Sequence, residues 1–165
     1  MLRRRRRRSV VEATADGFVL DLSADERAAL GRLLDELRSM LVSGDDEIEP
    51  LLERLFPPAY LAEADAEAAA DYRRLMREEL VASRVASIGT VIAALETEGS
   101  FDEHTAVAMM RALNEVRLVL GTLLDVSEET TAESFDQDDP RAGQYQLYGF
   151  LSWLVEHFVE ALSEW

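Results

Sequence analysis

The chain has 165 residues, no cysteine, 17 basic residues that are all arginine and 33 acidic ones, for a formal net charge of −16. This length suits one domain burying roughly 70% of its unfolded surface in a single core, and the lack of cysteine excludes disulfides, thiolate nucleophiles and sulfur-ligated metals together. No apolar stretch approaches the roughly 18 residues of a membrane span, and Glu12 and Asp16 interrupt what would have to be the apolar part of a signal peptide, so the expectation is a soluble, cytoplasmic protein.

The charge is unevenly placed. Arg3, Arg4, Arg5, Arg6, Arg7 and Arg8 form a basic arm within residues 1–9, expected to be disordered, while residues 9–165 hold 11 arginines against 33 carboxylates. A body this acidic repels nucleic acid and anionic membranes, so only the arm offers a contact for nucleic acid, and none is expected with a membrane. The arm has three readings: a salt-sensitive phosphate tether, a contact for acidic partners including this protein's own body, or a consequence of start-site choice. The missing lysine suits selection for bidentate anion binding, but more simply reflects codon usage in a GC-rich genome.

Residues 10–165 read as a single domain. Ser9–Ala13 and Phe18–Leu22 flank Asp16-Gly17, a dipeptide suited to a tight turn, and predict a β-hairpin. Ser23-Ala24-Asp25-Glu26 is a capping box opening a helix from about Ala24 to Val42, with Leu30, Leu33, Leu34, Leu37 and Leu41 as its apolar stripe. A short helix is predicted over Glu47–Leu55, with Pro50 in its first turn and Phe56-Pro57-Pro58 closing it. Leu61–Asp65 reads as a linker or turn.

One long helix is predicted from Ala66 to Glu98. Tyr72, Met76 and Leu80 start its apolar stripe, Val81, Val85, Ile88, Ile92 and Leu95 continue it out of phase, and Gly89 is the expected weak point. Gly99 ends it, and Ser100-Phe101-Asp102-Glu103 reads as a second capping box whose helix runs antiparallel to about Asp125. Residues 125–139 carry seven carboxylates and no basic residue, the mark of a solvated loop. After Asp139-Pro140 a last helix places Leu147, Leu151, Leu154, Phe158 and Leu162 inward. Its surplus aromatics Tyr145, Tyr148, Phe150, Trp153 and Trp165 suggest a second buried face, within the bundle or against another subunit of a homodimer. The fold class is mainly α: a helical bundle of four main helices plus one short helix, with an N-terminal β-hairpin.

No constellation marks an enzyme. The two histidines, His104 and His157, lack metal-binding spacing, the acidic loop lacks the glycine and terminal glutamate of a calcium loop, and no phosphate loop, dinucleotide glycine pattern or nucleophile elbow occurs. No metal and no cofactor are expected. The most conspicuous polar residues are Asn114 and Arg117, three positions apart on an otherwise apolar helix, where each needs a partner to offset its desolvation. With Arg73 and Arg74 they make the candidate polar cluster. If Arg73 and Arg117 face each other they line an anion-binding niche; alternatively, Arg117 pairs with a carboxylate such as Glu67, Asp71 or Glu78 and fixes helix register. Phe56, Tyr60 and Trp153 are candidate docking residues, although a di-proline segment such as Leu55–Tyr60 more often tucks its aromatics into the core.

Three segments carry a resemblance: Asn114-x-x-Arg117-Leu118-x-Leu120-Gly121, Leu55-Phe56-Pro57-Pro58-Ala59-Tyr60 and Asp71-Tyr72-Arg73-Arg74-Leu75. With them the chain resembles an actinobacterial domain-of-unknown-function family whose genes often neighbour that of the ClpS proteolytic adaptor. The resemblance implies no activity. It makes the Clp system the first partner to test for a non-enzymatic regulator or adaptor working through protein contacts, against the alternative of a nucleic-acid-binding transcriptional regulator that uses the arginine arm, and a third reading as a small-anion-binding or enzymatic bundle.

Overall fold

The computed structural model describes residues 9–56, 66–127 and 139–165, with the backbone alone at 66–69 and 73. The arginine arm at 1–8, the segment 57–65 with Tyr60 and the expected linker, and residues 128–138 of the acidic loop lie outside the described residues.

The hairpin forms as β1, Val11–Thr14, and β2, Gly17–Leu20, paired antiparallel with Val11 opposite Leu20 and Thr14 opposite Gly17. A third strand, β3, joins it: Ser100–Phe101 pairs antiparallel with β2, Phe101 opposite Phe18 and Ser100 opposite Val19. This corrects the reading of Ser100 as a helix cap. The residue that caps the following helix is Asp102, whose side chain accepts from the Thr105 amide at 2.8 Å.

The capping box at Ser23 is present, its hydroxyl accepting from the Glu26 amide while the Glu26 carboxylate accepts from the Ser23 amide at 2.8 Å. It opens α1, Ala24–Ser43, which ends at Gly44 in the left-handed region. The short helix is α2, Glu49–Leu52, continued by one turn of 3₁₀-helix at Glu53–Leu55. The long helix is α3, Ala66–Glu96, continuous through Gly89. It is followed by α4, Glu103–Leu123, and α5, Ala142–Ser163. Among the described residues, four main helices, one short helix and a small three-stranded sheet built on the N-terminal hairpin make up the fold.

The main helices pack as a bundle in which α3 touches α1 and α4, and α4 touches α5, while β1 lies on α5. All these elements feed one core, built from the leucine stripe of α1, Ile88, Val91 and Leu95 of α3, Met109, Leu113 and Val116 of α4, and Leu151, Leu154 and Phe158 of α5. Phe18 carries the sheet into it, with Phe101 stacked at 6.4 Å and Trp165 at 4.9 Å. Arg27 ties the exit of β2 to the end of α3. Its guanidinium donates to the Leu20 carbonyl, to the Leu22 carbonyl at 3.3 Å and to the Thr97 carbonyl at 3.4 Å.

Helix α4 ends in a paired-carbonyl cap: the Val126 amide donates to Gly121 at 2.8 Å and the Asp125 amide to Thr122 at 3.2 Å, with Asp125 at φ 54°. Glycine prefers that conformation and aspartate only tolerates it. Relief of the left-handed strain outweighs the added chain entropy of glycine, so Asp125→Gly is expected to raise stability by about 0.5 kcal/mol, read as a higher urea midpoint with an unchanged slope.

Candidate functional site

A polar junction lies where the turn after α2 meets α3 and α4, and its central residue is Arg84. Val81, Arg84 and Ile88 are three to four positions apart, so Arg84 projects from the inward stripe of α3. Its guanidinium pairs with the Glu115 carboxylate of α4 and donates through Nη2 to the Leu55 carbonyl at 2.8 Å. Both side chains are largely covered, with 23% of Arg84 and 17% of Glu115 exposed. The Nε of Arg84 is buried without a hydrogen-bond partner among the described residues. Burial raises the Glu115 carboxyl pKa above its ordinary value, against the pull of the Arg84 and Arg111 cations. The charged form is thus disfavoured by the fold even with its counter-ion in place, as expected for an ion pair taken out of water.

Phe56 is clasped by the same junction. Arg77 lies 4.5 Å and Arg84 5.2 Å from its ring centroid, both within cation–π range. Arg77 in turn holds Glu49 at the start of α2 in a bidentate pair, 2.5 and 2.6 Å. Four arginine-centred contacts, counting the Arg84 bond to the Leu55 carbonyl, therefore lash the α2 turn to α3. Phe56 is half-buried against the core, while Pro57 to Tyr60, the rest of the segment expected to form a corner or a docking knob, lie outside the described residues.

The Asn114–Arg117 pair points elsewhere. Glu115 and Arg117 are two positions apart and so diverge by about 200° around α4. Arg117 donates to Asn114 Oδ1 through Nε at 3.1 Å and Nη2 at 2.7 Å, and is half-buried. Each polar group is the other's partner, where a carboxylate on another helix had been an expectation. Arg74 is exposed and 3.5 Å from Asp71 on its own helix. Because Arg84 sits beside Glu115 on antiparallel helices, Arg117 is level with position 82 of α3, about 12 Å along the axis from Arg74; the side chain of Arg73 lies outside the described residues. One turn beyond Arg117, Gly121 leaves room for the Tyr148 ring, which stands 3.0 Å from where a Cβ would lie.

On α5, Trp153 is 41% exposed and lies against Phe150 at 5.8 Å and His157 at 4.6 Å. The first apolar stripe of α3 is also at the surface: Tyr72 is 51%, Leu75 59%, Met76 37% and Leu80 42% exposed. From Met76 to Val81 the apolar face turns by about 140°, so the half of α3 that packs in the bundle and the half that carries this stripe face different directions. A groove of about 720 Å³ lies between α1, the exit of β2 and the end of α3, with Arg27 and Arg38 among its walls. Among the described residues no three histidine or carboxylate side chains converge as a metal site would require.

These features define a mainly α bundle with an appended three-stranded sheet, an arginine-tied junction and an exposed apolar helix face. Residues 5–162 match the model of the family described as Domain of unknown function (DUF2017), and the chain belongs to that family. No curated protein and no solved structure matches it.

Proposed function

We propose that the protein is a non-enzymatic regulator or adaptor acting through protein contacts, with the outward face of α3 as its docking surface. The observation that carries this reading is the exposed stripe Tyr72, Leu75, Met76 and Leu80. Spacings of three and four residues align these side chains on one helix face, a contiguous exposed apolar patch is a mark of an interaction site, and the pattern suits an amphipathic partner helix laid alongside. Exposed Trp153 on α5 adds a second aromatic anchor of the type found at interface centres.

The Clp system is the first partner to test, because of the gene neighbourhood the sequence resemblance implies. The experiment is a binding measurement between full-length protein and purified Clp adaptor and ATPase components, with Leu75→Glu/Leu80→Glu alongside. Wild-type binding in the micromolar range and at least a tenfold loss in the variant, at an unchanged melting temperature, is the expected result. No binding at about tens of micromolar removes the Clp form of the proposal. Retention on nucleic acid at low salt that disappears on deletion of residues 1–8 would replace it with the nucleic-acid reading of the arginine arm.

A further inference from the structure

A small cavity of about 230 Å³ with mixed polar and apolar walls opens between α3 and α4, beside the Arg84–Glu115 pair and on a different face from the Asn114–Arg117 pair. Ser83 and Ser87 of α3 are four residues apart and line it from one side, with Ile88 below them; Arg111 and Glu115 of α4, also four apart, line it from the other.

The serines are unusual for this molecule. Hydroxyls inside a helix commonly donate to the carbonyl four residues back, and Ser39, Thr90, Thr97, Thr122 and Ser152 all do so here. Ser83 and Ser87 make no hydrogen bond among the described residues, and both line the cavity, Ser83 at its exposed rim and Ser87 half-buried. Arg111 enters no ion pair among the described residues, although its cation acts on Glu115. Within the cavity, Glu115 is neutralised by Arg84, so the charge left for a ligand is the positive one of Arg111.

We propose that this cavity is a binding site for a compact oxyanion of the phosphate or carboxylate type, held by the Arg111 guanidinium and the Ser83 and Ser87 hydroxyls. The chemistry follows from the donor set: one planar guanidinium able to meet an oxyanion with two parallel hydrogen bonds, and two hydroxyls one helical turn apart. The size follows from the volume, since an ordered water takes about 30 Å³, leaving room for a small anion and a few waters. The Arg84–Glu115 pair forms the wall that holds the two helices at this separation. The cavity borders the docking face, since Leu80 lines its rim, but its donors Arg111, Ser83 and Ser87 are not part of that apolar stripe.

The test is an amide-resolved NMR titration of the full-length protein with inorganic phosphate and, separately, with acetate, at constant ionic strength. Saturable shifts confined to residues 83–88 and 111–115 are expected. A response to phosphate alone assigns a phosphoryl ligand, and a response to acetate alone a carboxylate. Arg111→Gln is expected to weaken the binding at least tenfold, and Ser83→Ala/Ser87→Ala by a smaller factor, with melting temperatures unchanged because none of these side chains holds the fold together. The proposal is overturned if neither anion gives a saturable shift, or if Arg111→Gln binds as tightly as the wild type.

Discussion

Arg84→Leu is expected to destabilise the protein by about 3 kcal/mol, whereas Arg84→Leu/Glu115→Leu should return to within about 1 kcal/mol of the wild type. The single substitution leaves Glu115 charged and largely buried, and it removes the donor to the Leu55 carbonyl. The double substitution removes both charges and fills the space with apolar atoms. The raised pKa of Glu115 supports a small net value for the intact pair, since burial already outweighs the two arginines. It also fixes the pH dependence. A carboxyl whose folded pKa lies above its unfolded value favours the fold when protonated, and that contribution is lost as pH rises through the folded pKa. Removing Arg84 drives the pKa further up, so the deficit of Arg84→Leu should be largest at neutral pH and shrink as the pH falls toward the Glu115 pKa. Urea unfolding of the three proteins at neutral and mildly acidic pH measures this. A double variant as unstable as the single one would show that Arg84 acts through its contacts with Phe56 and Leu55 rather than through charge.

Why Arg84 escaped the sequence reading while Arg117 did not is a matter of context. Arg117 stands among Val116, Leu118, Val119 and Leu120, so local composition alone made it conspicuous. Arg84 sits between Ser83 and Val85 in a helix whose apolar face shifts phase near Leu80, and a cation at the join of two stripes looks like an ordinary surface residue. Its pairing with Glu115 spans 31 positions and is a tertiary fact that no local pattern encodes. A signal was nonetheless present, since Val81, Arg84 and Ile88 share the inward stripe. Local features were legible for the opposite reason: the Ser23–Glu26 capping box, the leucine stripe of α1 and the stop at Gly99 each need only neighbouring residues, and the hairpin itself was legible although its turn falls at Ala15-Asp16, with Gly17 already paired to Thr14 at the start of β2, rather than at Asp16-Gly17. The third strand was not legible because two residues carry no periodicity, and the spacing of Ser100 and Glu103 imitated a helix cap. The exposure of Tyr72, Leu75, Met76 and Leu80 was hidden for a further reason: an amphipathic helix shows the same pattern whether its apolar face meets its own core or another protein.

Gly17→Ala is expected to cost about 2–4 kcal/mol, more than a turn glycine normally would. Gly17 has φ 119°, which alanine adopts only with strain, and it lies at the start of β2 against the short strand β3. A Cβ there would stand 2.4 Å from the Phe101 carbonyl oxygen, 3.2 Å from the carbonyl carbon and 3.8 Å from the Asp102 amide nitrogen. These are backbone atoms, so no rotamer change relieves the overlap. Phe101 must move, and with it the stacking on Phe18 and the position of Asp102, the N-cap of α4. Gly44→Ala separates the two contributions. Gly44 also has positive φ, 61°, but nothing stands within 4 Å of its would-be Cβ, so its substitution carries backbone strain alone, about 1 kcal/mol. Urea midpoints at equal slope compare the pair directly. A clearly larger loss for Gly17→Ala locates the difference in the contact between β2 and the start of α4, while equal losses would mean that β3 yields freely and does not fix where α4 begins.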